Sequence, residues 1–356
     1  MNYVNKKKWK IEALRFFLAI SIALTHFRMY SNDLPFGGMY FVVDFFFIIS
    51  GYFLYLYWIK NKNEKNILLQ IMNYGKKRYL KLLLPFLSAY AVSLLVKIII
   101  VKETMYPDIW AYIREAFMIE ISCMPIQYRV NPPGWYCGYL IIGSIFLFAV
   151  LLCLDKIKVK RNYFVYWGVG LAIYIYLSMT KHCLNLYPRY EGIFAVDAFL
   201  RTVAGLMIGC GCAVAEQEGV LERIKQKTTG IVKNMKQIID ILLLLFFLYM
   251  TYWDSGYRKT DWILIPIVWY IFMFVILKPS NVPTIIENLA IFAGKVSMDI
   301  FLLHYAIVRI YSKYKLFIGY DWKIVCCIFL VSVLLVAVVY HVVYEWICKL
   351  FLKLRG

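Results

Sequence analysis

Apolar runs of about 20 residues recur along the whole chain, separated by short loops that contain Lys, Pro or Asn. A run of this length can cross the hydrocarbon core of a bilayer as a single helix. Hydrophobic residues make up 62% of the 356-residue sequence, against roughly 45–50% in soluble domains. Because every backbone polar group must be paired inside lipid, the chain is predicted to be an all-α polytopic membrane protein.

We predict ten membrane-spanning helices, at residues 11–30, 38–58, 82–101, 137–154, 163–179, 195–215, 237–253, 262–277, 289–310 and 323–343. An even number of spans places both termini on one side of the membrane. Lys and Arg are concentrated at the termini and in alternate loops, so both termini are predicted to be cytoplasmic. The first run lacks a small-residue cleavage site and is followed by many others, which indicates a retained helix and not a signal peptide. The expected location is the inner (plasma) membrane, as a multi-pass protein embedded in the lipid bilayer.

The net charge of +19 comes from 40 Lys and Arg against 21 Asp and Glu. In a soluble protein this excess would raise the question of nucleic acid, but positive-inside topology explains it better here, and no nucleic-acid partner is predicted. The nine cysteines show no metal-binding spacing, so no metal site is predicted. Cys123, Cys137 and Cys183 are placed on the outer side, and whether two of them form a disulfide is left open.

The longest outer segment, residues 102–136, contains two pieces of different character. The first, "YPDIWAYIREAFMIEI", has apolar residues at helical spacing and is predicted to lie along the membrane interface. The second, "MPIQYRVNPPGWY", is rich in Pro, Gly and aromatic residues and is predicted to form a structured loop. Residues 1–356 are expected to form a single integral-membrane domain without a fused soluble domain.

Two ionisable residues, Arg15 and His26, lie inside the first apolar run, where such groups usually mark a functional site. Eleven residues turn a helix about 20° beyond three full turns, so both side chains share one face, roughly 16 Å apart along the axis. A site that uses both therefore needs a tunnel or a long ligand. The alternatives are an Arg15 that snorkels to the headgroups and a His26 that only hydrogen-bonds to a neighbouring helix.

Two further ionisable residues are predicted to lie at the depth of His26. Asp44 is about six residues from the outer end of the second span, and His304 is equally far from the outer end of the ninth. A carboxylate beside an imidazole holds its tautomer and raises its basicity. We therefore expect the three side chains to converge in one catalytic group.

The order of the motifs resembles a known family. The Arg15–His26 pair is followed by "VVDFFFIISGYF", "NYGKKRYLKLLLPF", "PPGWYCGYL", "FLRTVAGLMIG", "GKVSMDIFLLH" and "VVYEWICKLF". On these motifs the chain is similar to the membrane-bound acyltransferase family 3, whose members are integral membrane O-acyltransferases. The sequence departs from the family pattern at Met298 and Asp299, where an aromatic residue is more usual, and at Lys81, where a second Arg is common.

The resemblance implies transfer of an acyl group, usually acetyl, from cytoplasmic acyl-CoA to a hydroxyl of a cell-surface or lipid-linked carbohydrate. Acetyl-CoA then acts as a donor substrate, with no permanently bound cofactor, and polysaccharide-assembly proteins are further candidate partners. Carried over by motif, the candidate residues are Arg15, His26, Asp44, Ser50, Gly51, Arg78, Trp135, Arg201, His304 and Glu345.

The predicted mechanism divides these residues among three tasks. His26, oriented by Asp44, acts as general base, and His304 is a second proton carrier or an acceptor ligand. Three cations at the inner surface bind the donor phosphates, namely Arg15, Arg78 and Lys81. Two residues are assigned to the substrate and its developing oxyanion, namely Trp135 and Arg201.

Two other classes of function remain open. A proton-coupled secondary transporter or small-molecule passage protein would also use buried Arg, His and Asp, and proton-coupled uptake without acyl transfer would establish it. A structural subunit of a polysaccharide-assembly complex would tolerate replacement of His26 and Asp44. His182 and His341 match no motif and are interpreted as structural. The acceptor, the choice between acetyl and succinyl, and the oligomeric state are not predicted.

Overall fold

The computed structural model describes residues 2–28, 34–61, 66–119, 126–158, 162–181, 184, 196–227, 230–252, 259–278, 282–317 and 319–355. The structure is 87% helical, and none of the described residues forms a strand. Within these described ranges, seven helices are long and apolar enough to cross a membrane. The class predicted from the sequence, a polytopic helical membrane protein, is confirmed.

Twelve α-helices follow one another within the described ranges: α1 (Asn2–Phe27), α2 (Val42–Asn61), α3 (Ile67–Leu95), α4 (Ile109–Ala116), α5 (Trp135–Lys156), α6 (Tyr163–Lys181), α7 (Val196–Gln217), α8 (Val220–Lys227), α9 (Gly230–Tyr252), α10 (Leu264–Tyr270), α11 (Thr284–Tyr314) and α12 (Trp322–Arg355). Wider π-helical turns continue α3 over Val96–Val101 and α10 over Ile271–Ile276.

Each of the ten predicted spans overlaps a helix. Seven of these helices are long and apolar enough to cross a membrane, whereas α1, α9 and α10 do not meet both conditions in the described residues. The number of ten spans and the cytoplasmic termini therefore stay predictions. Three helices extend well beyond the predicted spans, with α1 beginning at Asn2, α3 beginning at Ile67 and α12 ending at Arg355. The basic segment before residue 82 was assigned to a loop, whereas α3 begins at Ile67, because its Lys and Arg are good helix formers interleaved with Leu and Ile. The helix predicted after residue 102 is present as α4, and its position along the membrane interface stays a prediction.

The chain forms two compact units, and each is described by itself. Unit 1 contains residues Met1–Lys7, Pro35–Leu82 and Tyr136–Asn281, and unit 2 contains Lys8–Leu34, Leu83–Trp135 and Val282–Gly356. The prediction of a single membrane domain is not tested by this division.

Unit 1 is built around the packing of α2 against α7, which in turn packs on α6. Glycines allow the backbones of α2 and α7 to approach closely. A Cβ at Gly51 would overlap the carbonyl of Leu206, and a Cβ at Gly209 would overlap the carbonyl of Ile48. Close approach through small residues is how helices associate in lipid, where hydrophobic burial gives little driving force. The glycines of the "IISGYF" and "GLMIG" motifs thus have a packing role.

Unit 2 brings together α1, α11 and α12. The ring of Phe27, at the end of α1, stacks on Phe329 of α12 with centroids 4.0 Å apart. It also meets Tyr311 of α11 edge-on at 5.7 Å. Phe27 is fully buried, so these contacts fix the last turn of α1 against both neighbours. That turn carries His26.

Candidate active site

Two histidines from different helices of unit 2 form a direct hydrogen bond. Nδ1 of His26 lies 2.9 Å from Nε2 of His304, and the ring centroids are 5.0 Å apart. Each histidine also approaches a carbonyl of its own helix. Nδ1 of His26 is 3.1 Å from the oxygen of Ile22, and Nδ1 of His304 is 3.0 Å from the oxygen of Ile300. The predicted convergence of these two histidines is present in the structure.

The two carbonyls determine which ring nitrogens carry protons. A carbonyl only accepts, so Nδ1 of His304 must carry a proton, which leaves Nε2 of its neutral ring as an acceptor. Nδ1 of His26 faces that acceptor as well as the Ile22 oxygen, so it must also carry a proton. The network therefore assigns the unprotonated nitrogen of neutral His26 to Nε2.

The free nitrogen of His26 is suited to proton abstraction. His304 is fully buried, whereas His26 is only partly buried. No hydrogen bond occupies Nε2 of His26 within the part of the chain that the structure describes. A lone pair held in one orientation on an accessible imidazole is the arrangement that a general base needs.

Arg15 lies on α1, and its guanidinium donates to Glu12 at 2.9 Å. This short side-chain pair is part-buried, with Arg15 32% exposed. A Cβ at Gly294 of α11 would overlap Glu12, so the glycine of "GKVSMDIFLLH" permits α11 to approach α1 at this level. Arg15 is therefore held in the middle of α1, eleven residues before His26.

Asp44 is fully buried in unit 1 and forms a bidentate ion pair with Arg201. Nε and Nη2 of Arg201 donate to the two carboxylate oxygens at 3.0 and 2.7 Å. Tyr174 donates a third hydrogen bond to Asp44 at 2.8 Å, and Arg201 also donates to the carbonyl of Tyr40. Sequence reasoning had singled out both charged residues without pairing them. Asp44 belongs to unit 1 and His26 to unit 2, so their interaction stays a prediction, as does a substrate-binding role for Arg201.

Arg78 lies on the basic part of α3, in unit 1. Its Nε is buried and has no hydrogen-bond partner among the described residues. An unsatisfied guanidinium nitrogen is costly, and an anionic ligand would satisfy it. Lys76 and Lys81 on the same segment are exposed. Contacts of Arg78 and Lys81 with a donor phosphate stay predictions.

Residues 8–341 match the family model described as an acyltransferase domain, Acyl_transf_3. The chain belongs to this acyltransferase family. The resemblance read from the helix motifs is thereby confirmed over nearly the whole chain.

Proteins similar to this family member include three from Staphylococcus aureus strains COL, MSSA476 and MRSA252, each named "Putative O-acetyltransferase". Each is 26% identical over 341 residues, which cover 85% of this chain and 51% of the relative. The chain thus spans about half the length of these relatives. No solved structure matches it.

The structure also shows a carboxylate–imidazole pair that sequence reasoning missed in this family member. Nδ1 of His341 on α12 lies 2.7 Å from Asp299 on α11. Asp299 was noted as a departure from the family pattern, and His341 was interpreted as structural. The available signal was an ionisable residue in each of two consecutive apolar helices, since such residues usually pair within lipid.

Three remaining candidates have simpler surroundings. Trp135 begins α5 and is half-buried, and Glu345 on α12 is exposed and lies 3.7 Å from Lys349. Ser50 is half-buried on α2. Their predicted roles stay predictions.

Cys137 is a buried free thiol. Cys123, Cys183 and His182 lie outside the described residues.

Proposed function

We propose that this chain transfers an acyl group, acetyl first among the candidates, from cytoplasmic acyl-CoA to a hydroxyl of a cell-surface or lipid-linked carbohydrate. The observation that carries the proposal is the hydrogen-bonded pair of His26 and His304, which leaves Nε2 of His26 as a free base. Membership of the acyltransferase family supports the class of reaction. The names of the staphylococcal relatives support O-acetyl transfer in particular.

In the proposed reaction the acceptor hydroxyl gives its proton to Nε2 of His26 while its oxygen attacks the thioester carbonyl carbon. A C–O bond forms and the C–S bond breaks. The imidazolium then returns the proton to the departing thiolate, so the enzyme ends the cycle unchanged. While His26 is charged, its Nδ1–H donates to Nε2 of His304, which stabilises the cation.

His304 is a positioning residue in this scheme, because it acts through His26. We expect His304→Leu to lower kcat by about tenfold, with little change in KM for either substrate, since the Ile22 carbonyl still holds Nδ1 of His26. The acid limb of the pH–rate profile should move to lower pH, because the His26 cation loses an acceptor. His304→Gln offers an amide oxygen and should recover part of the rate. Equal profiles for the wild type and His304→Leu would contradict the positioning role.

Arg78 is proposed to bind a phosphate of the donor. We expect Arg78→Ala to raise the KM for acetyl-CoA more than it lowers kcat, because binding that is equal in the ground and transition states affects KM alone. Lys76→Ala, on the same helix and exposed, is the matched control and should leave KM nearly unchanged. A fall in kcat at constant KM would argue against a phosphate contact.

The proposed function is tested with membranes from producing cells, which hold both the protein and its native acceptor. Acetyl-CoA labelled in the acetyl group is added, and base-labile label in the glycan is measured together with CoA release. Equimolar CoA and glycan ester would support O-acyl transfer. Proton-coupled uptake of a small molecule without any ester formation would instead establish the transporter.

A further inference from the structure

A cleft of about 530 Å³ lies in unit 2, between the end of α3, the Ile126–Tyr128 turn and the last turns of α11. Its volume is within the roughly 300–1,000 Å³ of small-molecule sites. Residues that line it include Glu103, Gln127, Tyr128, Tyr305, Arg309 and Ser312. The predicted topology places these segments at the outer side of the membrane.

One wall of the cleft is held in place by buried charges. Arg309 donates to the carbonyls of Arg129 and Val130, and Lys97 donates to the carbonyl of Tyr128. The carboxylate of Glu115 accepts from the backbone N–H groups of Val130 and Asn131, at 3.1 and 3.0 Å. Three ionisable side chains from three elements thus bind the backbone of one four-residue segment.

These charges are costly to bury, and their arrangement indicates a site. Lys97 is fully buried and Arg309 is 6% exposed, and both pair with the Glu103 carboxylate, at 3.6 and 3.4 Å. Burial raises the pKa of the Glu115 carboxyl, although the two backbone N–H groups act in the opposite direction. Apolar residues would stabilise a loop at least as well, whereas ionisable groups of this kind usually mark a functional region in membrane proteins. We attribute their presence to the need for a rigid wall beside the cleft.

The side chains that face the cleft combine aromatic rings with hydrogen-bonding groups. Tyr128 and Tyr305 supply aromatic rings, and Glu103 supplies a carboxylate that is 31% exposed and pairs with Lys97 and Arg309. Gln127 and Ser312 are exposed, and their side chains make no hydrogen bond to any part of the chain that the structure describes. Sugar rings have apolar faces edged by hydroxyls that both donate and accept, and this set of groups is complementary to them.

The cleft adjoins the histidine pair through Tyr305. The Tyr305 ring meets the His26 imidazole edge-on, with centroids 5.7 Å apart. On the same ring, the guanidinium carbon of Arg309 lies 4.9 Å from the centroid. One side chain therefore contacts the proposed base, the buried charges and the cleft.

We infer that this cleft binds the carbohydrate acceptor, with Gln127 and Ser312 as hydrogen-bonding residues and Tyr305 placing the sugar beside His26. The inference rests on the proposed function for the role of the sugar, but binding itself does not depend on catalysis.

The test measures glycan binding separately from transfer. The probe is glycan released from the surface of producing cells, de-esterified with mild base and titrated into the full-length protein in lipid nanodiscs. We expect Gln127→Ala combined with Ser312→Ala to raise the Kd about tenfold or more, because two hydrogen bonds are lost. KM for acetyl-CoA should be unchanged. Tyr320→Ala, exposed in the connection between α11 and α12, is the control and should bind as the wild type does.

The outcomes distinguish the two claims. A weakened Kd in the double variant alone supports the cleft, whether or not the wild type transfers acetyl groups. Equal Kd values for the wild type and the double variant, or no binding of the glycan by the wild type, would overturn the inference. Failure of the proposed function would appear instead as glycan binding without ester formation in the wild type.

Discussion

His26→Ala is expected to lower kcat for acyl transfer by about 10²–10⁴-fold, the usual contribution of a positioned general base. KM should change little, because the imidazole acts on a proton and not on the bulk of either substrate. The measurement is the initial rate of label transfer from acetyl-CoA to glycan in membranes that contain equal amounts of each protein.

The control for this variant is His341→Ala, which removes another intramembrane imidazole of unit 2, one paired with Asp299. It should retain a kcat far above that of His26→Ala. Added imidazole should restore part of the activity of His26→Ala, since it can enter the vacated position. A kcat within about twofold of the wild type for His26→Ala would end the general-base proposal.

Asp44→Ala is expected to destabilise the protein by about 3–5 kcal/mol, because it leaves the Arg201 guanidinium buried without its counter-ion. Replacing both residues with Leu removes the unpaired charge and should recover most of the loss. Thermal unfolding in one detergent gives the comparison. The control is Asp197→Ala, which breaks a pair with Lys181 that is 31–44% exposed and should cost far less stability than Asp44→Ala.

Activity measurements on the same variants distinguish a purely structural role of Asp44 from its predicted role in orienting His26. If Asp44 only pairs with Arg201, the double Leu variant should transfer acetyl groups at a rate that follows its stability. If Asp44 also orients His26, kcat should stay low in the double Leu variant even though its stability is restored. The pH–rate profile of that variant should also shift. Equal stability of the single and double variants would contradict the buried ion-pair account.

Much of the fold follows from the apolar runs, because a segment surrounded by lipid has few alternatives to a helix. The start of α3 could not be predicted in this way. Its first half is basic, which is typical of a loop between spans, but it is helical from Ile67 onward. The shared depth of His26 and His304 could be counted along two predicted spans. Their hydrogen bond depends on helix rotation and on the aromatic packing of Phe27, which no count along one helix provides.

The partner of Asp44 was unpredictable for a similar reason. Several cations lie in apolar runs, and the choice of Arg201 depends on the close crossing of α2 and α7 at Gly51 and Gly209. Lys97 and Arg309 were different, because both lie within predicted spans and could have been recognised as intramembrane charges. The positive-inside rule accounts for the Lys and Arg excess as a whole and therefore does not single out these two.

Histidine-dependent O-acetyl transfer is tested most directly by the amount of ester-linked acetyl on the surface glycan. The cells compared produce the wild-type chain, His26→Ala or no chain. Mild base releases the acetate, which is quantified per unit of glycan at equal protein levels. Acetate is expected in the first cells, with background levels in the other two. Equal acetate with the wild type and with His26→Ala would contradict a histidine-dependent O-acetyl transfer by this protein.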